Sequence, residues 1–111
     1  MAENTGALKG VAFHLVDEVD YAAGSIVSKI LLKKETGNIT LFAFDSGQGL
    51  SEHTAPFDAV VQILDGQAEF TIGGETHQVK SGEMLIMPAN VPHALHAAVR
   101  FKMLLVMIRG E

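Results

Sequence analysis

Two glycine-punctuated stretches decide the fold of this chain: GQGLSEHTAPFDAVVQILDG, residues 47–66, and GEMLIMPANVPH, residues 82–93. Each begins with a glycine and carries one histidine, His53 in the first and His93 in the second. Glycine permits tight turns and proline ends strands, so both stretches are typical of short strands joined by turns. Histidine can transfer protons and bind metals near neutral pH, which makes these two residues the first functional candidates.

Turn signals recur outside these stretches, and they separate runs rich in Ile, Val, Leu, Phe and Thr. Gly73-Gly74 predicts a hairpin, because two glycines can adopt the positive φ values of a type I′ turn. Asp65-Gly66 predicts another turn, and residues 17–21 predict at most a short turn of helix. The predicted strands are 25–33, 38–45, 57–65, 67–72, 76–80, 83–87, 93–97 and 101–109.

The spacing of the two stretches resembles the two motifs of the cupin family. The first motif of that family falls on Gly47, His53, Ala55, Ala59 and Gly66, and the second falls on Gly82, Pro88, Asn90, His93 and Ala97. The resemblance implies an all-β fold, a double-stranded β-helix or jelly-roll barrel. It also implies a division into residues 1–24, an N-terminal arm that could contribute to a dimer, and residues 25–111, the barrel.

Metal-binding cupins, by this resemblance, hold a divalent ion with three histidines and one glutamate. Here alanines, Ala55 and Ala59, stand at two of those four positions. Catalytic zinc sites commonly use three protein ligands, and the iron oxygenase triad needs two histidines and a carboxylate. The expected cofactor is therefore a weakly bound divalent ion, zinc, nickel, manganese or iron, held by His53 and His93, or no metal at all.

Neighbouring residues could complete such a set only if the strands are irregular. Asp58 is one position away from Ala59, and His96 is three positions after His93, so a regular strand turns both outward. A bulge near Pro56 could re-aim Asp58. The roles of Asp58 and His96 stay open at this point.

The barrel interior should hold a pocket for a small polar or carboxylate-bearing molecule. The favoured function is small-molecule binding at a degenerate metal site. The alternatives are a metal-dependent isomerase, dioxygenase, decarboxylase or lyase with an unidentified third ligand, and a sensor module. No residue can be assigned as catalytic, because this fold serves many reactions. The expected pocket residues are His53, Phe57, Val61, Leu85, His93, Leu95 and Met103.

Composition excludes several other classes of protein. The chain has 111 residues, enough for one domain, and its formal net charge is −5 with only eight basic residues, so nucleic acid is not an expected partner. The longest apolar run, residues 103–108, is far shorter than the roughly 20 residues that span a bilayer. The first ten residues lack the pattern of a signal peptide, so the expected location is the cytoplasm and no membrane partner is expected.

Two runs, residues 39–44 and 103–108, are apolar at consecutive positions and so place apolar side chains on both faces of a sheet. The sequence predicts no substantial helix that could cover the outer face. A second copy of the chain is the expected cover, and a homodimer is the expected assembly.

Overall fold

The computed structural model describes residues 8–109, and antiparallel strands dominate its regular structure. A short 3-10 helix, Leu15–Asp17, precedes them, and no helix between residues 8 and 109 has the length and apolar character to cross a membrane. The predicted all-β class is confirmed. The strands are β1 (Ile26–Lys34), β2 (Gly37–Phe44), β3 (Gly49–His53), β4 (Ala59–Ile72), β5 (Glu75–Lys80), β6 (Met84–Met87), β7 (His93–His96) and β8 (Phe101–Ile108).

The strands curl into two sheets that share β4. The first half of β4 pairs with β6 on one side and β8 on the other, and β2 and β1 continue this first sheet. The second half of β4 pairs with β5 and β7, and β3 extends this second sheet beyond β7. The result is the predicted double-stranded β-helix, or jelly-roll barrel.

Gly66 marks the place where β4 passes from the first sheet to the second. The prediction of a turn at Asp65-Gly66 was wrong, because one strand runs through both residues with a register shift between Ile63 and Asp65. Gly66 has a φ of 77°, and a Cβ atom added there would lie 2.2 Å from the carbonyl oxygen of Arg100. Glycine therefore bends the strand at this point and lets β8 approach closely.

The hairpin at Gly73-Gly74 is confirmed, since both residues have positive φ and join β4 to β5. The predicted helical turn at residues 17–21 lies instead at Leu15–Asp17. The strand β3 was not predicted. All five of its residues are exposed, so no alternation of apolar and polar residues marks it. The strand predicted at 57–65 began too early, because β4 begins at Ala59.

The main core fills the space between the two sheets. Its largest fully buried side chains include Phe44, Phe70 and Phe101, together with Ile63 and Met103. The rings of Phe44 and Phe101 stack with their centroids 4.7 Å apart, which ties β2 to its neighbour β8.

A second, smaller core lies on the outer face of the first sheet, where the N-terminal segment crosses it. Val19 from this segment packs on Leu41 and Ala43 of β2, and all three are buried. Three hydrogen bonds tie the segment to the sheet: the Tyr21 hydroxyl donates to Asp65 at 2.5 Å, Lys102 donates to the Val16 carbonyl, and Lys29 donates to Glu18 at 2.8 Å. The chain therefore covers part of the face for which the sequence suggested only a second copy.

Candidate functional site

His53 and His93 face each other across adjacent strands of the second sheet. They are direct cross-strand partners between β3 and β7, although the register of this pair shifts between Leu50 and His53. Their Nε2 atoms are 3.2 Å apart, and the two rings meet edge to face with centroids separated by 4.4 Å. The structure thus joins two histidines that are forty positions apart in sequence.

The Nδ1 atom of each ring lies within hydrogen-bond distance of a backbone carbonyl oxygen. The Nδ1 atom of His53 lies 2.8 Å from the carbonyl oxygen of Ser51, and that of His93 lies 3.2 Å from the carbonyl oxygen of Val91. A carbonyl oxygen can only accept a hydrogen bond, so each of these contacts assigns a ring proton to Nδ1. The 3.2 Å between the two Nε2 atoms is also a hydrogen-bond distance, which requires a proton on one of them. With ring protons on Nδ1 alone, the two Nε2 lone pairs share one small space beside the cavity.

The two histidines differ in their exposure to solvent. His93 is 7% exposed, and burial lowers the pKa of its imidazole below the ordinary value of 6.5. The neighbouring His53 ring lowers this pKa further, while the hydrogen bond to Val91 acts in the opposite direction. His93 therefore stays neutral, with Nε2 available as an electron-pair donor, under conditions where a solvated histidine begins to gain a proton. His53 is exposed and lies at the mouth of the site.

The histidine pair borders an apolar cavity of about 90 Å³ inside the barrel. Apart from the two imidazoles, every lining side chain is apolar. An engineered cavity of roughly 150 Å³ accepts benzene, so the enclosed part of this one suits a smaller group. The lining residues are Phe42, Leu50, His53, Ala55, Phe57, Ala59, Phe70, Met87, His93, Ala94, Leu95, Met103, Leu105 and Met107.

Five of the seven expected pocket residues line this cavity, and two do not. The two exceptions are Val61, which is fully buried in the core, and Leu85, its partner on β6, which packs against the same core. Both point inward, but β4 and β6 place them where the sheets are packed together. The residues that line the cavity as expected are His53, Phe57, His93, Leu95 and Met103.

Sequence reasoning missed several lining residues on β2, β6 and β8. Met107 and Leu105 alternate with outward positions on β8 and share the inner face with Met103, so period-two alternation could have identified them. Met87 is buried at the end of β6, directly before Pro88. Phe42 is the cross-strand partner of Met103 and joins the lining for that reason.

The turn between β6 and β7 lies beside the site and contacts the segment that carries Ala55. Asn90 has a φ of 64°, a conformation that asparagine tolerates better than most side chains. Its N–H donates to the carbonyl oxygen of Ala55 at 2.7 Å, while the N–H of Ala89 donates to the Asp58 carboxylate at 2.8 Å. These bonds fix the irregular segment that follows β3, and they hold the Asp58 carboxylate on the turn.

Neither Asp58 nor His96 completes a metal site. Both are exposed, and neither lines the cavity. Ala55 and Ala59 do line it, at the positions where the cupin resemblance implies a histidine and a glutamate. Between residues 8 and 109, no three His, Cys, Asp or Glu side chains lie close enough together to hold one ion. The residues present therefore do not fit the four-ligand divalent site of that resemblance.

Comparisons with known proteins agree with the fold and the motifs. The model of the Cupin domain family matches residues 40–108, more than half of the chain. A conserved protein of unknown function from Streptococcus pyogenes is 40% identical, with a TM-score of 0.87 over 92% of this chain and 90% of its own. A cupin 2 conserved barrel domain protein from Leptotrichia buccalis is 41% identical, with a TM-score of 0.84 over 87% of this chain and 47% of its own.

An uncharacterised protein from Streptomyces coelicolor is 33% identical over 86 residues, which are 77% of this chain and 82% of that relative. The family model covers both motif stretches, residues 47–66 and 82–93. The chain belongs to the cupin family.

Proposed function

We propose that this protein binds a small molecule in the apolar cavity beside His53 and His93. The observation that carries the proposal is the pair of imidazole Nε2 atoms, 3.2 Å apart, at the edge of an otherwise apolar lining. Binding sites commonly combine apolar walls with a few polar groups that orient the ligand. The ligand class that suits this arrangement has an apolar body and one O–H or N–H donor that keeps its proton near neutral pH.

The lining favours binding over a chemical reaction. Among the described residues it includes no carboxylate or hydroxyl that could orient an imidazole as a general base. Each imidazole is oriented by a backbone carbonyl instead, which fixes the tautomer but adds no charge. Such a site accepts a hydrogen bond well, and this is the role that we assign to it.

Methionine methyl NMR can test the proposal, because the chain provides its own internal control. Met87, Met103 and Met107 line the cavity, whereas Met84 is 58% exposed on the outer face. Pyrazole, a small ring with an N–H donor, should shift the three cavity methyl signals and leave that of Met84 unchanged. The analogue 1-methylpyrazole lacks the donor, and it should bind about tenfold more weakly because one hydrogen bond is lost.

A pair of histidine variants identifies the acceptor. The substitution His93→Phe keeps a planar aromatic ring but removes one Nε2, so it should reduce the preference for pyrazole and leave only the exposed His53 as an acceptor. The matched control is His96→Phe, since His96 lies on the same strand but outside the cavity. Equal shifts of all four methionines, or an undiminished preference in His93→Phe, would contradict the proposal.

We also propose that the protein is a homodimer joined through the outer face of its first sheet. Beyond the segment that covers Leu41 and Ala43, one row of aliphatic side chains stays half-buried or exposed. Cross-strand pairing makes this row continuous over five strands, and two such rows on two copies could pack together. We call it the outer row, and it consists of Leu32, Ile39, Val106, Val60 and Ile86.

The substitution Val106→Glu should separate the subunits, because it places a charge at the centre of the outer row. Sedimentation should show about twice the chain mass of 11.9 kDa for the native protein and a single chain for the variant. Leu104→Glu is a poorer test, because Leu104 packs against the smaller core of its own chain. The control is Thr76→Glu on β5 of the second sheet, which should stay dimeric. A native monomer at micromolar concentration would overturn this proposal.

A further inference from the structure

Two methionines flank the position where the cupin resemblance implies a glutamate. Ala59 occupies that position, and its direct cross-strand neighbours are Met87 on β6 and Met107 on β8. All three side chains line the cavity that His53 and His93 border. The chain contains five methionines, and three of them, these two and Met103, reach this one cavity. The missing carboxylate is therefore replaced by thioethers rather than by inert hydrocarbon alone.

The histidine pair has the separation of two ligands on one ion. Nitrogen atoms about 2.0–2.1 Å from a common ion and 3.2 Å apart subtend roughly 100–106° at that ion. This angle is close to tetrahedral and far from linear, so two further coordination positions stay open toward the cavity. Methionine has three flexible torsions, which allow a sulfur at the cavity wall to turn toward such an ion.

The imidazole nitrogens and thioether sulfurs determine which ion the site favours. Imidazole and thioether donors are all neutral, and thioethers are soft ligands that favour Cu(I) over zinc, manganese or magnesium. A monovalent ion also suits an apolar cavity without a carboxylate, because the cost of transferring an ion from water rises steeply with its charge. We propose that His53, His93 and the thioethers of Met87 and Met107 form a site for one Cu(I) ion.

This inference rests on the proposed function, since it uses the same cavity and the same Nε2 pair. It adds that one soft ion can occupy the same pair of Nε2 atoms, in competition with a ligand that donates a hydrogen bond to them. The ion is retained as Cu(I), and the proposal includes no change of its oxidation state.

Anaerobic titration of the full chain with Cu(I), in competition with a chromogenic Cu(I) chelator, tests the site. The native protein should retain one equivalent, and His93→Phe should lose it at chelator concentrations that the native protein withstands. The double variant Met87→Leu with Met107→Leu keeps the volume nearly constant. It should bind at least about tenfold more weakly, as expected for the loss of roughly 1.4 kcal/mol. Met84→Leu, at an exposed position outside the cavity, is the matched control and should bind like the native protein.

X-ray absorption at the copper edge of the native protein keeps the test independent of how the variants fold. It should show both nitrogen and sulfur neighbours. Retention of less than one equivalent, a spectrum without sulfur, or affinity unaffected by the double methionine variant would overturn the Cu(I) site. The pyrazole experiment on metal-free protein distinguishes the two proposals: if its shifts persist while copper fails to bind, only the Cu(I) inference is lost.

Discussion

The double variant Ala55→His with Ala59→Glu should bind Zn(II), Ni(II) or Mn(II) about 10³-fold or more tightly than the native chain. A gain of this size corresponds to roughly 4 kcal/mol. Both alanines line the cavity beside His53 and His93, so the new side chains would complete a set of three imidazoles and one carboxylate. Affinity for these ions increases with each correctly placed ligand of suitable hardness. Isothermal titration of metal-free protein measures the change.

The control for this variant introduces the same two residue types one position away. Thr54→His with Asp58→Glu places them at exposed positions outside the cavity, and it should leave metal affinity near the native level. If the control gains as much as the double variant, the inward positions are wrongly assigned. A double variant that gains nothing, although its fold is intact, would lead to the same conclusion.

The substitution Gly66→Ala should destabilise the fold more than any other glycine-to-alanine change in β4 or its turns. It combines a φ of 77° with a Cβ atom only 2.2 Å from the backbone oxygen of Arg100, so β4 and β8 would have to separate. We expect a loss of about 3 kcal/mol or more in the free energy of unfolding. In a chain of this size, that loss lowers the melting temperature by roughly 10 °C or more.

Gly74→Ala is the matched comparison, since Gly74 also has a positive φ, 87°, but nothing lies within 4 Å of an added Cβ atom. It should therefore cost only about 1 kcal/mol, the strain of the backbone conformation alone. Chemical denaturation of the two variants separates strain from steric overlap. Equal losses at both positions would contradict the role assigned to Gly66 as the point where the two sheets join.

The approach of His53 to His93 could be predicted from sequence, because the cupin resemblance implies that both positions face the interior of one barrel. The depth of the cavity could not be predicted from the sequence. Alternation predicts which side chains of β4 point inward, and it correctly turned Val61 to the inside. It carries no information on whether an inward position meets packed core or open space. Whether an inward side chain meets core or cavity depends on where β4 bends. The bend lies at Gly66, where the sequence predicts a turn.

Two further features could not be predicted from the sequence: the exposed strand β3 and the packing of the N-terminal segment. β3 carries His53 but has no buried residue, so hydrophobic alternation could not reveal it. The outer face of the first sheet was expected to need a second copy, because no helix was available to cover it. An irregular segment that ends near Tyr21 covers part of that face and buries Val19. Its apolar side chains follow no periodic pattern, so sequence reasoning had no signal for this contact.

The most direct test of the central claim is the protonation state of the two imidazoles, measured by long-range proton–nitrogen NMR on protein labelled at histidine. We expect that His53 and His93 at neutral pH both carry their proton on Nδ1, hydrogen-bonded to the carbonyls of Ser51 and Val91, and that neither Nε2 carries a proton. Addition of pyrazole or Cu(I) should then change the Nε2 signals first. A proton found on the Nε2 of either ring in the free protein would contradict the account, because the cavity would then lack its pair of electron-pair donors.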